Sequence, residues 1–381
     1  MSEKLFEDLN ILESCNIGAI LGEHPFDYLA KSGRNESKDV RNLLEAAFNQ
    51  YPDNEKDQLK KRLTTDNVVQ CQSAMFELLL HYLLYKIGYK VIVHPNLQNE
   101  SNKKPDFLVE GDNDVKFYLE AILVYNNYNA DVTQRKEIKS LFYDINKKFH
   151  DVEDAKLWVS IVKQSNCTVS RKPLCNNISS MLDQLRAKNQ SRVKWIWKEK
   201  EVKTGWEIEL QLFKQSSKPK RFISCVYPQM ASLINVCKCV KTAFKKKNNK
   251  YGKLEYPLVL AINVFSEHID FVDEIEAFFG SRPLRNNETR TEYSTNNQLN
   301  SAWCWKQKPQ YTGISAAWLF NGMTEWTLKN RHILYINPWS RINLNEQFLL
   351  CLPHVRQINE EIVYFEGNSI FEMLDLNWFW L

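Results

Sequence analysis

Three carboxylates in largely apolar segments are the residues of this sequence best placed to do chemistry. Glu77 is the only acid of the segment AMFELLLHYLL, Asp106 follows Pro105, and Glu120 interrupts the apolar run FYLEAILV. A carboxylate is costly to bury without a partner, and crowded carboxylates raise one another's pKa unless a cation neutralises them. Oxygen-only clusters of this kind suit Mg²⁺ or Mn²⁺. We therefore expect a metal site at these acids, held by Asp106 and Glu120, with Glu77 either beside the ligands or at a second ion.

The segments that carry the acids are typical of one helix followed by three strands. VVQCQSAMFELLLHYLLYKIG is apolar nearly all round and ends at Gly88, which predicts a deeply buried helix. YKVIVHPNL, PDFLVEG and VKFYLEAILVY then read as strands, with the turn sequence GDND between the last two. If this turn closes a hairpin, Asp106 lies close to Glu120 or its neighbours.

The next segments continue the alternation of helices and strands. DVTQRKEIKSLFYDINKKFH predicts a helix and AKLWVSIVKQ a strand, so the order from residue 68 is helix, three strands, helix, strand. This order predicts the α/β class, with a mixed β-sheet flanked by helices. We expect a helical N-terminal segment over 1–67, the core over 68–172, and an α+β accessory region over 173–381 that contacts substrate or packs on the core.

A helix acid, then PD at one strand, then E-x-K on the next resembles the signature of the PD-(D/E)xK phosphodiesterase superfamily, which has the restriction-endonuclease-like fold. Glu77 matches the helix acid, Pro105 and Asp106 the PD, and Glu120 the acid of E-x-K. The element order over about residues 68–163 matches the core of that fold. The chain is also similar to a group of uncharacterised bacterial proteins with this fold, through blocks such as KYGKLEYPLVLAINV and YINPW.

The resemblance implies a metal-dependent nuclease that hydrolyses phosphodiester bonds in DNA or RNA. It implies Glu77, Asp106 and Glu120 as catalytic residues, with Asp106 and Glu120 as the ligands of Mg²⁺ or Mn²⁺. Such an ion lowers the pKa of a bound water and stabilises an in-line attack on phosphorus.

The sequence departs from the motif at its lysine, which is replaced by Ile122. That lysine would orient the attacking water or stabilise charge on the phosphate, and isoleucine can do neither. Three alternatives stay open. Another basic residue takes its place, with Lys139 and Lys147 as candidates; metal ions suffice; or catalysis is lost and the chain is a catalytically inactive binding or interaction module with the nuclease fold.

Lysines are the candidate contacts to nucleic acid. The run KCVKTAFKKKNNKYGK predicts a basic helix that could track a phosphate backbone, although lysines at such spacing also form ordinary solvated faces. The run contributes Lys238, Lys241, Lys245, Lys246, Lys247 and Lys250. Among these we select Lys241, Lys245 and Lys246, together with Lys139 and Lys147, as the predicted nucleic-acid contacts.

Composition and the absence of certain sequence motifs argue against several other classes of protein. The net charge of +4 is too small to indicate a nucleic-acid binder by itself. The N-terminus lacks a secretory pattern, no apolar run approaches the roughly 18 residues of a bilayer span, and nine cysteines show no zinc spacing. No P-loop, nucleophile-elbow or HExxH motif occurs. We expect a soluble cytoplasmic protein with no membrane partner; a homodimer stays open.

Overall fold

The chain forms two compact units, and the second interrupts the first. The computed structural model describes residues 4–6, 24–97, 103–125, 132–163, 165, 167–198, 205–216, 222–228, 236–248, 250–265, 270–280, 284–286, 290–291, 301–306, 308–359 and 361–378. The first unit comprises Met1–Asn16, His24–Asn126 and Ile234–Leu381, and the second comprises Ile17–Glu23 and Asn127–Leu233. The boundaries expected from the sequence, at 67 and 172, differ from this division.

As far as the chain is described, consecutive helices come first and a mixture of strands and helices follows. In chain order the helices are α1 (Pro25–Lys31), α2 (Asn35–Gln50), α3 (Asp53–Leu63), α4 (Val68–Lys86), α5 (Val132–Lys148), α6 (Arg171–Ala187), α7 (Val236–Lys247), α8 (Phe271–Phe279), α9 (Glu346–Leu349) and α10 (Ile370–Met373). Within the described residues, no helix has both the length and the apolar character needed to cross a bilayer.

The longest described strands are β3 in the first unit and β4 in the second. In chain order they are β1 (Lys90–Val93), β2 (Phe107–Glu110), β3 (Lys116–Tyr125), β4 (Ala155–Lys163), β5 (Arg192–Lys198), β6 (Glu207–Lys214), β7 (Ile223–Pro228), β8 (Leu258–Phe265), β9 (Leu284–Asn286), β10 (Arg290–Thr291), β11 (Cys304–Trp305), β12 (Lys308–Pro309), β13 (Ala316–Asn321), β14 (His332–Ile336), β15 (His354–Ile358) and β16 (Glu361–Phe365).

The first unit is built on one large mixed sheet. As far as the chain is described, its strand order is β1–β2–β3–β8–β13–β14–β15–β16–β9–β10. β1, β2 and β3 are antiparallel neighbours, whereas β3, β8 and β13 run parallel. Helices pack on both faces of this sheet. The predicted α/β class, a mixed sheet flanked by helices, is confirmed.

Alternation along β3 divides its side chains between two cores. Phe117 and Leu119 join the core that contains α4, whereas Tyr118 and Ile122 join the core that contains α7 and α8. The α4 helix begins at Asn67, whose side chain accepts hydrogen bonds from two backbone N–H groups of the first turn. Because α4 is apolar nearly all round, it is buried along most of its length.

The helix and strand that pack and pair with β3 are not the next helix and strand in the sequence. We expected the segments that form α5 and β4 to complete the core, but both lie in the second unit, and β4 belongs to a different sheet. The parallel neighbour of β3 is β8, with Glu120 opposite Leu260. The helix before β8 is α7. The order helix, three strands, helix, strand is therefore met by α4, β1, β2, β3, α7 and β8.

The second unit has its own four-stranded sheet, in the order β5–β6–β4–β7. β6 pairs antiparallel with both β5 and β4, and β7 pairs parallel with β4. Its core is formed by one face of the sheet together with α5 and α6, through side chains such as Ile145, Ile178 and Leu210.

Phe244 fixes α7 to the rest of the first unit, and its truncation tests this packing. The side chain is fully buried, with ring centroids 4.6 Å from Trp303 and 5.2 Å from Tyr311. We expect Phe244→Ala to lower the free energy of unfolding by about 3–5 kcal/mol, because it leaves a cavity. Urea unfolding measures this. Lys245→Ala, at an exposed position of the same helix, is the control, and a loss below about 1 kcal/mol for Phe244→Ala would contradict the packing.

Candidate active site

The β2–β3 hairpin brings Asp106 and Glu120 together. Phe107 pairs with Leu119, so the preceding position on β2 places Asp106 opposite Glu120. Oδ2 of Asp106 accepts a hydrogen bond from the backbone N–H of Ala121 at 2.7 Å. The GDND turn that closes the hairpin holds Asn113 and Asp114 in the left-handed region, which these residue types tolerate. The predicted approach of Asp106 to Glu120 or its neighbours is confirmed by the register and by the contact with Ala121.

Glu120 is buried, and its carboxylate accepts hydrogen bonds from three of the described side chains. Its side chain is 1% exposed and lies on the α7 side of β3. Oε1 accepts from Nζ of Lys247 and from Nζ of Lys250, the latter at 3.0 Å, and Oε2 accepts from the hydroxyl of Tyr251. Two cations and a phenol therefore compensate the carboxylate that interrupts the apolar run of β3.

The sequence of α7 explains why Lys247 faces inward. Val240, Phe244 and Lys247 follow at i, i+4 and i+7, which places them on one face of the helix. Val240 and Phe244 are fully buried, and the side chain of Lys247 is 20% exposed. The lysine stem continues the apolar stripe of α7 while its ammonium reaches Glu120.

Glu77, on α4, has partners of its own. The side chain is buried; Oε1 accepts from the Tyr51 hydroxyl at 3.0 Å, and Oε2 accepts from Nη2 of Arg62 at 2.7 Å. One turn later, the buried ring of His81 lies 4.8 Å from that of Tyr51. Burial lowers the pKa of His81 to about 4, so the imidazole is neutral at neutral pH.

Asp106 is the third carboxylate of the cluster, and its pKa is raised by its burial and by the other two carboxylates. Burial first, and then the charges on Glu120 and Glu77, raise the pKa of Asp106 to about 7. The hydrogen bond from Ala121 and the charge on Lys247 lower it only in part. Asp106 is therefore the carboxylate of this cluster at which further positive charge would stabilise the structure most.

The donors around Glu120 respond to its charge. Burial lowers the pKa of Lys247, but the charge on Glu120 and the hydrogen bond to it outweigh burial, so the pKa of this ammonium is raised. Burial and the same carboxylate raise the pKa of Tyr251 well above its usual range. Lys247 is thus charged and Tyr251 protonated at neutral pH.

The cations on Glu120 differ from the candidates named for one of the three alternatives. Lys139 and Lys147 were the candidates if another basic residue takes the place of the motif lysine; both belong to α5 of the second unit, whereas Glu120 binds Lys247 and Lys250 of the first. Lys147 is exposed; the side chain of Lys139 lies outside the described residues.

The other lysines selected as nucleic-acid contacts lie on α7. Lys245 and Lys246 are exposed, and Lys241 is half-buried. Lys247 and Lys250 belong to the basic run that predicts contacts with a phosphate backbone, and their contact with Glu120 was not predicted. The signal that could have found Lys247 is its place in the buried stripe of α7.

Asp106 and Glu120 fit a hard divalent cation that takes few ligands from the protein and completes its shell with water and phosphate. Two carboxylates on neighbouring strands suit Mg²⁺, which is commonly bound by one or two carboxylates, with water and phosphate completing its shell. A carboxylate offers about four lone-pair sites, and the described donors use three of those on Glu120. Among the described residues, no group of three or more His, Cys, Asp or Glu could enclose a metal ion.

Comparisons with family models, with curated proteins and with solved structures found no match to this chain.

Asp106 should make the metal-free protein less stable as the pH rises. Its carboxyl pKa is about 7 in the folded state against 3.8 ordinarily. Between these values the folded state holds a proton that the unfolded state has released, so the free energy of unfolding falls with rising pH. We expect a fall on the order of 2–4 kcal/mol between about pH 4.5 and 8 from this group.

Asp106→Asn retains an acceptor for Ala121 and should remove most of this fall, which makes the variant more stable than the wild type near pH 8. Urea unfolding in EDTA at both pH values measures the difference. Asp112→Asn, at an exposed acid of the hairpin turn, is the matched control. Parallel pH profiles for the wild type and Asp106→Asn would contradict the electrostatics of the cluster.

Proposed function

We propose that α4, β1, β2, β3, α7 and β8 form a restriction-endonuclease-like core of the PD-(D/E)xK kind, interrupted between β3 and α7 by the second unit. The element order supports this, as do the antiparallel arrangement of β1–β3 and the parallel strand β8 beside β3. Further support comes from the positions of Glu77, Asp106 and Glu120, which match the helix acid, the PD and the acid of E-x-K.

We propose that this core is a metal-dependent nuclease that hydrolyses phosphodiester bonds in DNA or RNA. The observation that carries the proposal is the contact of Lys247 with Glu120. Ile122 occupies the motif position of the lysine, two residues after Glu120 on the same face of β3, and Lys247 reaches that face from α7. The basic group that the motif requires is then supplied by another element.

Each residue of the cluster has a role in this proposal. Asp106 and Glu120 hold Mg²⁺ or Mn²⁺, and Glu77, hydrogen-bonded to Tyr51 and Arg62, holds Asp106 in a negative environment that favours the cation. When bound, the ion supplies charge to the phosphate and acidifies a water. Lys247 donates a hydrogen bond to the attacked phosphate or to the attacking water.

The exposed lysines of α7 extend this site toward the substrate. Lys245 and Lys246 precede Lys247 on the same helix and are exposed. They bind backbone phosphates, an interaction that depends on charge and not on base sequence. The protein on this proposal acts on nucleic acid in the cytoplasm.

One observation favours a second candidate, the catalytically inactive module with the nuclease fold. Lys247, Lys250 and Tyr251 compensate Glu120 without a metal ion. In that case the cluster serves folding alone, because buried charges need partners.

A cleavage assay with variants decides between the two candidates. Supercoiled plasmid, single-stranded DNA and RNA are incubated with the protein and Mg²⁺ or Mn²⁺. We expect cleavage that Asp106→Asn and Glu120→Gln abolish and that Lys247→Met slows by about 100-fold or more, the effect of removing one donor to a developing charge. Lys245→Met, which removes one proposed phosphate contact on the same helix, should weaken substrate binding and leave the rate at saturating substrate close to that of the wild type.

A relocated lysine sharpens the assay. Ile122→Lys in the Lys247→Met background places the ammonium at the motif position and should restore a measurable part of the rate. Circular dichroism and thermal unfolding of each variant check that it folds. Wild-type rates for Lys247→Met would contradict the role of this lysine, and no cleavage of any substrate with either ion would favour the inactive module.

A further inference from the structure

One face of the sheet in the second unit lies opposite its core with α5 and α6 and has an unusual composition. β4, β5 and β6 alternate between the core shared with α5 and α6 and an outer face. We define the outer face by the side chains of Lys156, Trp158, Ser160, Arg192, Lys194, Ile196, Lys198, Glu207, Glu209, Gln211 and Phe213. The side chains of Trp158 and Ile196 are 40% and 46% exposed.

Strand register arranges this outer face in rows. Arg192, Phe213 and Lys156 lie side by side across β5, β6 and β4, and the next row consists of Lys194, Gln211 and Trp158. The rings of Trp158 and Phe213 are diagonal neighbours, with centroids 5.2 Å apart. The two aromatic rings therefore lie in the first two rows of the face, with Arg192 and Lys156 on either side of Phe213.

The charges of the outer face favour an anionic partner. Four cationic side chains stand against two glutamates. Lys194 pairs with Glu209 at 3.0 Å and Lys198 with Glu207 at 3.1 Å, at the end of the face away from Arg192. The guanidinium of Arg192 donates to the side-chain amide of Gln211 and lies 5.4 Å from the centre of the Phe213 ring.

We infer that the outer face binds single-stranded nucleic acid. Bases stack on Trp158 and Phe213, and backbone phosphates bind Arg192 and Lys156. A single strand is favoured over a duplex because the faces of paired bases are covered by their own stack. The inference rests on the second unit alone and stands whether or not the carboxylate site of the first unit cleaves.

Fluorescence anisotropy of the full chain tests the inference, with labelled oligothymidylate and oligouridylate of about 20 nucleotides and a duplex of equal length. EDTA and the Asp106→Asn background prevent cleavage, so a failure of the proposed nuclease activity does not affect the result. We expect both single strands to bind more tightly than the duplex, and their relative affinity separates DNA from RNA.

Variants assign the binding to the outer face. Trp158→Ala and Phe213→Ala should each weaken binding about tenfold, whereas Trp158→Phe, which keeps a stacking ring, should retain most of the affinity. Arg192→Gln should reduce the slope of log affinity against log salt by about 0.7. Tyr143→Ala removes an equally accessible ring, 66% exposed on α5, and should change nothing.

Three results would overturn the inference. The first is binding of the duplex as tightly as the single strands with no effect of Trp158→Ala. The second is no binding of any oligonucleotide in low salt. The third is preferential binding to phosphatidylserine vesicles that Trp158→Ala abolishes, which would make the face a membrane-binding surface. Thermal unfolding of Trp158→Ala beside Trp158→Phe separates lost binding from lost folding.

Discussion

The burial of Glu120 in β3, an interior strand of a large sheet, is the constraint on which the rest of the first unit depends. A charged carboxylate at 1% exposure is tolerated only with close partners, and here the partners come from the end of α7 and the residues that follow it. α7 must therefore dock against the face of β3, and the aromatic cluster around Phe244 holds it there. The sheet, the helix and the ion cluster form one interdependent arrangement.

The three carboxylates of the cluster differ in how their negative charge is compensated. Glu77 and Glu120 each have a cation and a tyrosine hydroxyl, whereas Asp106 between them accepts a backbone hydrogen bond and has its pKa raised to about 7. An acid that titrates near neutrality, next to a fixed lysine, is typical of catalytic sites as well as of buried ion networks. The same arrangement therefore suits both a metal-assisted reaction and a purely structural role. We propose that the metal-assisted reaction operates.

Local features of the site were predictable from the sequence, and long-range ones were not. The GDND turn and the alternation of PDFLVEG and FYLEAILV predict the hairpin, and with it the approach of Asp106 to Glu120. An apolar strand sequence predicts that the strand is buried but not which strand it pairs with. We therefore expected β4 at the position beside β3 that β8 occupies. The candidates for a lysine that replaces the motif lysine were on α5, because α5 is the next helix after β3 in the sequence. Lys247 instead lies on α7, which follows the inserted second unit. Its position in the apolar stripe of α7 indicates an inward side chain but does not identify the partner.

A double-mutant cycle between Glu120 and Lys247 tests the central claim most directly. The free energies of unfolding of the wild type, Glu120→Gln, Lys247→Met and the double variant are measured near pH 7 in EDTA. The account predicts that the two substitutions are coupled by about 2 kcal/mol or more, because removing one partner alone leaves a buried charge without its counterion. Additivity within about 0.5 kcal/mol would contradict it and show that Glu120 does not depend on α7.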